Sequence, residues 1–393
     1  MRNICLVTHK IKRGDGQGRV NYEIIRAARA YGYQVTVLAS ECVEEVAQDT
    51  GVEWVKIPVD PWISQLLRNQ VFAWRSARWL RHHGDRFDLV HANGFITWYP
   101  AHINSAHFVH GAWLHSPHSG SALTGGFKGM YQKSFSLLNA ILEKRAFRQA
   151  DTVVSVSPLV VDELRSIGVP NHKIVMIPNG VDTDEYHPGC GLRSELNIAA
   201  EVPLAIFSGD LRSKRKNLET VLAALQEASD WHLLVLGRTE GSAYPALADA
   251  LGLSRRVHFL GFRRDTAELM RTADVLVFPS RYDPCTLVVA EALSSGVPVI
   301  TAQSVGAAFQ VPEGGGWVLD DPEDGKGIAL ILRNLAAYDK KQRDDIRARA
   351  RAAALDYTWS ETTKAYLELY ERSINSPSRS GARICVARRG DIS

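Results

Sequence analysis

The chain has 393 residues, of which 45% are hydrophobic and 23% are charged, and its formal net charge is +3. This length can hold two domains with separate cores, and so small a charge does not favour a nucleic-acid-binding protein. The apolar runs are too short for a membrane span or a signal peptide, and the five cysteines lack metal-binding or disulfide spacing. We therefore expect a globular protein of the cytoplasm.

The chain opens with a pattern typical of a parallel sheet. Ile4 to Thr8 and Gln34 to Ala39 are predicted strands, separated by a glycine-bearing loop and a helix that begins near Arg19. The loop reads G-D-G-Q-G from Gly14, which would let the backbone approach an anion but is not the dinucleotide-binding fingerprint. A loop without a ligand is the alternative.

The next segment, from Pro61 to Arg86, interleaves large aromatic side chains with arginines. A helix of this composition can lie on an anionic lipid surface, with its aromatic rings in the interface and its cations at the head groups. The same pattern also fits a helix that packs on the sheet and leaves its arginines in solvent. Both interpretations remain open from the sequence.

The segment after the predicted strand Phe87 to His91 is rich in histidine and aromatic residues, which suit the binding of sugar hydroxyls. His102, His115 and His118 could also form a metal cluster, but no carboxylate accompanies them, so we expect no metal site. An Asn-Gly turn at Asn179 and a proline at Pro188 then indicate a hinged connection to the second half.

The second half repeats the strand and helix alternation. Predicted strands lie at 204–207, 231–237, 257–261, 273–279 and 317–319, which indicates another doubly wound parallel sheet. The loop after the first of these strands carries Arg212, Lys214, Arg215 and Lys216, which could bind a diphosphate or lie in solvent. A helix over 359–374 follows, and the tail 375–393 is expected to be loose.

The segment FPSRYDPCTLVVAEALSSGVPVI, from Phe278 to Ile300, predicts a strand, a turn, a short helix and a strand. Thr286 is the expected N-cap, and Gly296 is placed where a helix ends in the left-handed conformation. The amides at a helix start can bind phosphate, and carboxylates suit polyol hydroxyls. The segment therefore predicts a phosphate site between Asp283 and Glu291, unless it is an ordinary strand-helix-strand unit.

Two acids with seven residues between them, followed by E-A-x-x-x-G-x-P-V, resemble the E-x7-E motif of the retaining nucleotide-sugar glycosyltransferases of family 4. The resemblance implies that Glu291 binds the ribose, that Asp283 binds the donor sugar, and that the intervening amides hold the diphosphate. The chain departs from the motif in two places: the first acid is Asp, and the usual Phe-Gly is Cys285-Thr286.

The resemblance extends over most of the chain and implies further ligands. Lys216 keeps the family's spacing from Gly209, and Arg212 replaces the family's arginine because Asp210 occupies its position. His110 matches the histidine near the reacting sugar, with His107 as the second choice. The resemblance also implies that Gly16 and Gly18 face the donor phosphates and that Phe262 and Arg263 lie beside the base. The residues around the helix start complete the substrate-binding set: Cys285, Thr286, Leu287 and Val288.

This family implies a GT-B fold, in which two Rossmann-like α/β domains face each other across a cleft. We expect an acceptor-side domain over 1–178, a nucleotide-sugar domain over 179–358, and a helix over 359–374 that returns to the first domain. The expected activity is metal-independent, cofactor-free retaining transfer from a UDP- or GDP-sugar.

The acceptor is expected to be a glycan or lipid-linked, as in cell-surface polysaccharide or lipopolysaccharide synthesis at the inner face of the membrane. A catalytically weak nucleotide-sugar-binding protein is the main alternative. A dehydrogenase and a glycoside hydrolase fit the pattern less well.

Overall fold

The computed structural model describes residues 2–12, 16–59, 64–115, 126–284 and 286–376. Several features considered above lie outside these ranges: Gly14, Trp62, His118, Cys285 and the tail beyond residue 376. The described residues form two parallel sheets, each with its own buried apolar core. The predicted α/β class with two doubly wound sheets is confirmed.

The first sheet has seven parallel strands in the order β5-β3-β1-β6-β7-β8-β9. Its strands are apolar and largely buried, as expected for a sheet covered on both faces. Their bounds are β1 Asn3–Val7, β3 Gln34–Ala39, β5 Val52–Lys56, β6 Leu89–Asn93, β7 Ile103–Ala106, β8 Thr152–Ser155 and β9 Ile174–Met176. The short strands β2, Lys10–Ile11, and β4, Glu41–Cys42, pair separately.

Six helices accompany this sheet in the described ranges: α1 Gly16–Ala30, α2 Glu44–Ala47, α3 Gln65–His83, α4 His110–His115, α5 Gly126–Gln149 and α6 Pro158–Ser166. The start of α1 differs from the prediction, because Gly16 and Gly18 lie in its first turn and not in a loop. Arg19 and Glu23 form an ion pair one turn apart, which supports a helical conformation there despite the glycines.

The second sheet has six parallel strands in the order β12-β11-β10-β13-β14-β15. Its strands are β10 Leu204–Ser208, β11 His232–Leu236, β12 Val257–Gly261, β13 Val275–Phe278, β14 Val299–Ala302 and β15 Gly316–Leu319. Its helices are α7 Leu218–Glu227, α8 Tyr244–Ala250, α9 Thr266–Thr272, α10 Val288–Ser294, α11 Gly325–Ala337 and α12 Lys340–Ala354. The strand order reverses between β1 and β6 in the first sheet and between β10 and β13 in the second. Doubly wound folds bind their ligands at such a reversal.

The last helix, α13 Trp359–Ile374, packs on the first sheet and not on the second. Its Tyr366 and Tyr370 are buried and hydrogen bond with Ser105 of β7 and His91 of β6, respectively, at 3.0 and 2.7 Å. The Thr358 hydroxyl caps the start of the helix by accepting a hydrogen bond from the Glu361 amide. None of the helices in the described ranges is both long enough and apolar enough to cross a membrane.

Loops at the carboxyl ends of the two sheets contact each other. Phe108, which follows β7, packs edge to face on Tyr282, which follows β13, with 5.4 Å between ring centroids. The Ser157 hydroxyl donates to the Pro284 carbonyl at 3.0 Å. The two sheets therefore direct their ligand-binding ends toward a shared region.

Candidate active site

Lys216 and Asp283 form an ion pair at the carboxyl end of the second sheet. Their side chains are only 14% and 7% exposed, and the Lys216 ammonium also lies 5.1 Å from the centroid of the Phe278 ring. Both residues were predicted to bind the donor, Lys216 at the diphosphate and Asp283 at the sugar. The structure brings them together, each as the other's partner.

The backbone around this pair is fixed by hydrogen bonds. Lys216 ends a 3-10 turn and is followed by Asn217, whose left-handed conformation (φ 62°) redirects the chain into α7. The buried Asn217 amide donates to the carbonyls of Pro279 and Pro322 at 3.1 and 2.8 Å. On the other side, the Asp283 carbonyl accepts from the Gly306 amide at 2.7 Å.

Gly209 lies against the stem of Lys216. A Cβ at this position would stand 3.4 Å from Lys216 Cγ, so the lysine side chain lies directly over the glycine. The spacing between these two residues was noted in the sequence, and the structure brings them into contact.

Arg212, the predicted second diphosphate ligand, lies on the exposed side of the same loop. Its Nε donates to Asp210 Oδ1 at 3.0 Å, and this bond holds the pKa of the Asp210 carboxyl below its usual value. Arg215 was noted in the sequence only as one of the four loop cations, and its guanidinium donates to the Tyr282 carbonyl at 2.8 Å. The structure thus joins Arg215, and not Arg212, to the segment that holds Asp283.

The short helix α10 begins at Val288, one residue later than predicted, with Leu287 at the N-cap position. The prediction that Thr286 caps the helix is wrong, because no side chain makes the capping hydrogen bond. The turn before it is held elsewhere, since the Asp283 amide donates to the Ser304 carbonyl at 3.2 Å. The amides of Leu287 and Val288 still lie at the helix start, and Cys285 is outside the described residues.

Glu291 lies on α10 and is partly buried. Two charged residues from other segments, Arg19 of α1 and Glu185, act on its carboxyl. Burial raises its pKa to about 7; the nearby Glu185 carboxylate adds to this, and the Arg19 guanidinium opposes it. Arg19 also binds Asp182 at 3.1 Å and Glu23 at 2.8 Å. Neither Arg19 nor Glu185 was selected from the sequence, although both flank motifs that were noted there.

The predicted glycines lie at the start of α1 and differ in exposure. Gly18 is buried within the helix, whereas a Cβ at Gly16 would meet open space. The prediction of a glycine loop at these two positions is therefore corrected to a helix N-terminus. The amides of this first turn have no partners within the helix, as at the start of any helix.

His107 is buried and His110 is half-buried, and both lie next to a cavity of about 160 Å³ in the first domain. Burial lowers the pKa of each histidine to about 4, so both rings are neutral at pH 7. His110 begins α4, where the Gly111 amide donates to Glu143 Oε1 at 2.7 Å. Glu143, on α5, was not selected from the sequence.

Phe262 and Arg263 follow β12, in the positions predicted to lie beside the base. Phe262 is 64% exposed, and the Arg238 guanidinium lies 5.9 Å from its ring centroid. Arg263 is paired with Asp265 through an Nε to Oδ1 contact of 2.8 Å. The exposed ring provides an apolar face, while the Arg263 charge is already matched by a neighbour.

The histidines considered for metal binding are not clustered in the part of the chain that the structure describes. No group of three or more His, Cys, Asp or Glu side chains suited to hold a metal ion occurs there. His102 instead accepts the Val90 amide through Nδ1 at 2.8 Å, which joins the ring to β6.

Comparisons with known proteins match both halves of the chain. The description Glycosyltransferase Family 4 matches residues 14–185, and Glycosyl transferases group 1 matches residues 192–353. A D-inositol 3-phosphate glycosyltransferase of Corynebacterium urealyticum is 26% identical over 328 residues, which span 77% of this chain and 75% of that protein.

Solved structures share the whole fold. Sucrose-phosphate synthase from Thermosynechococcus elongatus has a TM-score of 0.79 at 20% identity and covers 95% of this chain and 99% of its own. HepE of Anabaena, solved with UDP and glucose, has a TM-score of 0.71 at 19% identity and covers 94% and 100%. The chain therefore belongs to glycosyltransferase family 4 and has the GT-B fold.

Proposed function

We propose that this glycosyltransferase transfers a sugar, with retention of configuration, from a UDP- or GDP-sugar to a glycan or lipid-linked acceptor. The observation that supports this most strongly is the buried Lys216–Asp283 pair beside the start of α10. A cation and a polyol-binding acid are held next to free helix amides, which is the set of groups that a nucleoside diphosphate sugar requires.

The proposed binding step exchanges partners. The donor diphosphate takes the Lys216 ammonium and the amides of Leu287 and Val288, and Asp283 is released to accept hydrogen bonds from the sugar hydroxyls. Glu291 accepts from the ribose. Because Lys216 is mostly buried, its charge acts on the phosphate with little screening by water.

The proposed chemical step is a front-face displacement. The bond from the anomeric carbon to the diphosphate oxygen breaks, and a bond to the acceptor oxygen forms on the same face. The acceptor proton passes to the departing phosphate. Lys216 and the helix amides stabilise the negative charge that develops on the leaving group, which is the role a metal ion has in other transferases. We propose that neither a metal nor a cofactor takes part.

A peripheral membrane contact through α3 and α5 extends this proposal. Tyr131 accepts the Leu66 amide at 3.1 Å, which joins the two helices. Large apolar side chains are exposed on both, including Leu67, Trp74, Leu137 and Ile141. The only acidic residue in the two helices is Glu143, which is buried, whereas Arg75, Arg78, Arg81, Lys144 and Arg145 are exposed.

Such a surface fits anionic lipid at the cytoplasmic face of a membrane. Flotation with vesicles of phosphatidylglycerol and phosphatidylcholine tests it. We expect binding that weakens with salt and with Trp74→Ser, and equal partition to pure phosphatidylcholine vesicles would contradict a charge-dependent contact.

The acceptor is open to two interpretations. The name of the Corynebacterium relative contains a phosphorylated polyol, D-inositol 3-phosphate, and a phosphorylated acceptor is therefore one candidate. A neutral glycan is the other. Both are compatible with the proposed donor chemistry, since the diphosphate site lies in the second domain.

A second candidate function is nucleotide-sugar binding without efficient transfer. It is favoured by the two departures from the family motif, Asp283 in place of Glu and Cys285-Thr286 in place of Phe-Gly. A nucleotide-sugar panel read by thermal shift identifies the donor, since a ligand that binds the folded state raises Tm. Donor turnover with an acceptor mixture then separates the two functions: release of nucleotide together with a glycosylated product supports the transferase.

A further inference from the structure

The two connections between the domains pair with each other. Residues 180–186 carry the chain into the second domain, and we call them the crossing segment. The chain returns at Trp359, whose amide donates to the Val181 carbonyl at 3.2 Å, while the Val181 amide donates to the Tyr357 carbonyl at 2.9 Å. The contact is close, because a Cβ at Gly180 would stand 2.5 Å from the Trp359 backbone nitrogen. Both connections therefore form one junction.

Arg19, in the first turn of α1, contacts this junction through its whole guanidinium. Its Nε donates to Glu23 Oε1 at 2.8 Å, its Nη2 donates to Asp182 Oδ2 at 3.1 Å, and its Nη1 lies 3.7 Å from Glu185 Oε2. The guanidinium carbon also lies 5.9 Å from the centroid of the Trp359 ring. Because the Arg19 side chain is only 16% exposed, water screens these charges little. One side chain of the first domain thus holds both connections.

The crossing segment also contacts α10, the helix that carries Glu291. Val181 and Tyr186 pack with Ala290 of α10 in a buried apolar cluster. The Ser294 hydroxyl, at the end of α10, donates to the Tyr186 carbonyl at 2.6 Å. The crossing segment is therefore held between α1 and α10, and its position fixes the helix on which Glu291 lies.

Arg19 also acts on Glu291 through its charge. The Arg19 guanidinium opposes the rise that burial and the Glu185 carboxylate produce in the pKa of Glu291. A cation near a carboxyl group favours its ionised form, which is the better acceptor for a hydroxyl. The packing and the charge of Arg19 therefore favour the same state of the proposed ribose ligand.

We infer that Arg19 is a positioning residue for the donor: it holds the crossing segment against α1 and so fixes α10 where the Glu291 carboxylate meets the ribose. Arginine suits this role, because its planar fork directs several N–H groups at different acceptors, whereas a lysine ammonium is a single point charge. Without Arg19, the Glu23, Asp182 and Glu185 carboxylates would repel one another across the junction. The inference rests on the proposed function for the role of Glu291.

Calorimetric titration of the full chain with UDP and with GDP tests the inference, and the nucleotide that binds the wild type is then used for every variant. Arg19→Ala should raise its Kd roughly tenfold or more, a coupling typical of residues that act as a unit. Arg19→Lys should recover only part of this loss. Arg26→Ala is the matched control, because Arg26 pairs with the same Glu23 at 3.4 Å but its side chain is 61% exposed. Its Kd should equal that of the wild type.

Asp182→Asn tests whether Arg19 acts through the crossing segment. Asp182 Oδ1 accepts from the Asp184 and Glu185 amides at 3.2 and 3.0 Å, and an asparagine oxygen can keep these bonds while the charge that pairs with Arg19 is lost. We expect weaker nucleotide binding in this variant as well. The double variant Arg19→Ala, Asp182→Asn should bind no more weakly than Arg19→Ala alone. Asp182→Asn also keeps the test available if Arg19→Ala does not fold.

Glu291→Ala separates positioning from a general effect on the fold. If Arg19 acts by placing the Glu291 carboxylate, Arg19→Ala should cost much less nucleotide affinity in the Glu291→Ala background than in the wild type. A residue that only stabilises the fold would weaken binding by the same factor in both backgrounds.

Three outcomes would overturn the inference. The first is wild-type affinity in Arg19→Ala. The second is a loss in Arg19→Ala with unchanged affinity in Asp182→Asn, since Arg19 would then act on the nucleotide by another route. The third is an equal loss in both Glu291 backgrounds. A wild-type chain that binds neither nucleotide would contradict the proposed function, and the inference with it, and the first titration detects this separately.

Discussion

The Lys216 ammonium donates a hydrogen bond to the Asp283 carboxylate in a largely buried ion pair that joins the cationic loop to the turn before α10. Each partner compensates the charge of the other where water has little access. The pair is both a structural contact and, in the proposed mechanism, the position that the donor diphosphate enters.

Removing one partner should destabilise the fold more than removing both. Lys216→Met leaves a buried carboxylate without a cation, which typically costs roughly 3–5 kcal/mol of unfolding free energy. The double variant Lys216→Met, Asp283→Asn should recover part of that loss, because the two effects are coupled. Urea denaturation of the wild type, both single variants and the double variant measures the coupling. Additive losses would show that the pair does not act as a unit.

Lys216→Ala and Glu291→Ala should each abolish sugar transfer in a folded protein. The lysine charge on the leaving diphosphate is lost in the first variant, and the ribose contact is lost in the second. Removal of a preorganised group of this kind typically lowers kcat by roughly 10²- to 10³-fold. Arg212→Ala is the matched control from the same loop, and its exposed pair with Asp210 predicts a smaller effect. Wild-type turnover in the first two variants would remove the assignment of this site.

Donor affinity should rise with pH through the titration of Glu291. Its pKa of about 7 means that the carboxyl is partly protonated near neutrality. The ionised form is the stronger acceptor for ribose hydroxyls, so Kd for the donor should fall between pH 6 and pH 8. Glu291→Gln has no such titration and should bind the donor weakly and equally across this range. The same pH dependence in that variant would assign the titration to another group.

Protonation of Glu143 should stabilise the fold at low pH. Its folded-state pKa of about 8 lies above its ordinary value of 4.5, so the folded chain binds more protons than the unfolded chain between these limits. This contribution to stability is fully present below pH 4.5 and is lost as pH rises toward 8. Each tenfold difference in proton affinity between the folded and unfolded chain corresponds to about 1.4 kcal/mol of unfolding free energy.

Glu143→Gln tests this dependence because the amide keeps an acceptor for the Gly111 N–H. We expect its stability relative to the wild type to increase between pH 5 and pH 8, as measured by urea denaturation at each pH. A constant difference over this range would show that Glu143 has an ordinary pKa.

Tyr282 should connect the two domains through its ring. It is 5% exposed, and its centroid lies 4.9 Å from that of Trp113 and 5.4 Å from that of Phe108, both in the first domain. Its side chain also opposes the rise that burial produces in the pKa of the Glu163 carboxyl of α6. Tyr282→Phe should keep the packing, whereas Tyr282→Ala should lower stability by roughly 3–5 kcal/mol. Thermal unfolding and turnover of both variants measure this, and equal effects would assign the contribution to the hydroxyl.

Much of the fold was predictable because each strand is a short apolar run between turn residues. The strands Gln34–Ala39 and Val257–Gly261 and the helix Trp359–Ile374 have the predicted bounds. The start of α1 was not predictable in this way, since Gly16 and Gly18 favour a loop locally and the helix is stabilised by side chains further along. Thr286 illustrates the same limit, because the turn before it is held by contacts with Ser304 and Gly306.

The site was predictable in its motifs but not in its contacts. Lys216 and Asp283 were both selected, yet their pairing joins positions 67 residues apart and depends on the packing of two loops. Arg19 and Glu143 were not selected and Arg215 was noted only as one of the loop cations, because their partners come from other segments. Their roles depend on tertiary structure that periodicity does not specify.

A crystal structure of the full chain with UDP tests the central claim most directly. We expect diphosphate oxygens within hydrogen-bond distance of Lys216 Nζ and of the Leu287 and Val288 amides, with the Asp283 carboxylate displaced from the lysine and the ribose at Glu291. A nucleotide bound elsewhere, with the Lys216–Asp283 pair intact, would contradict it.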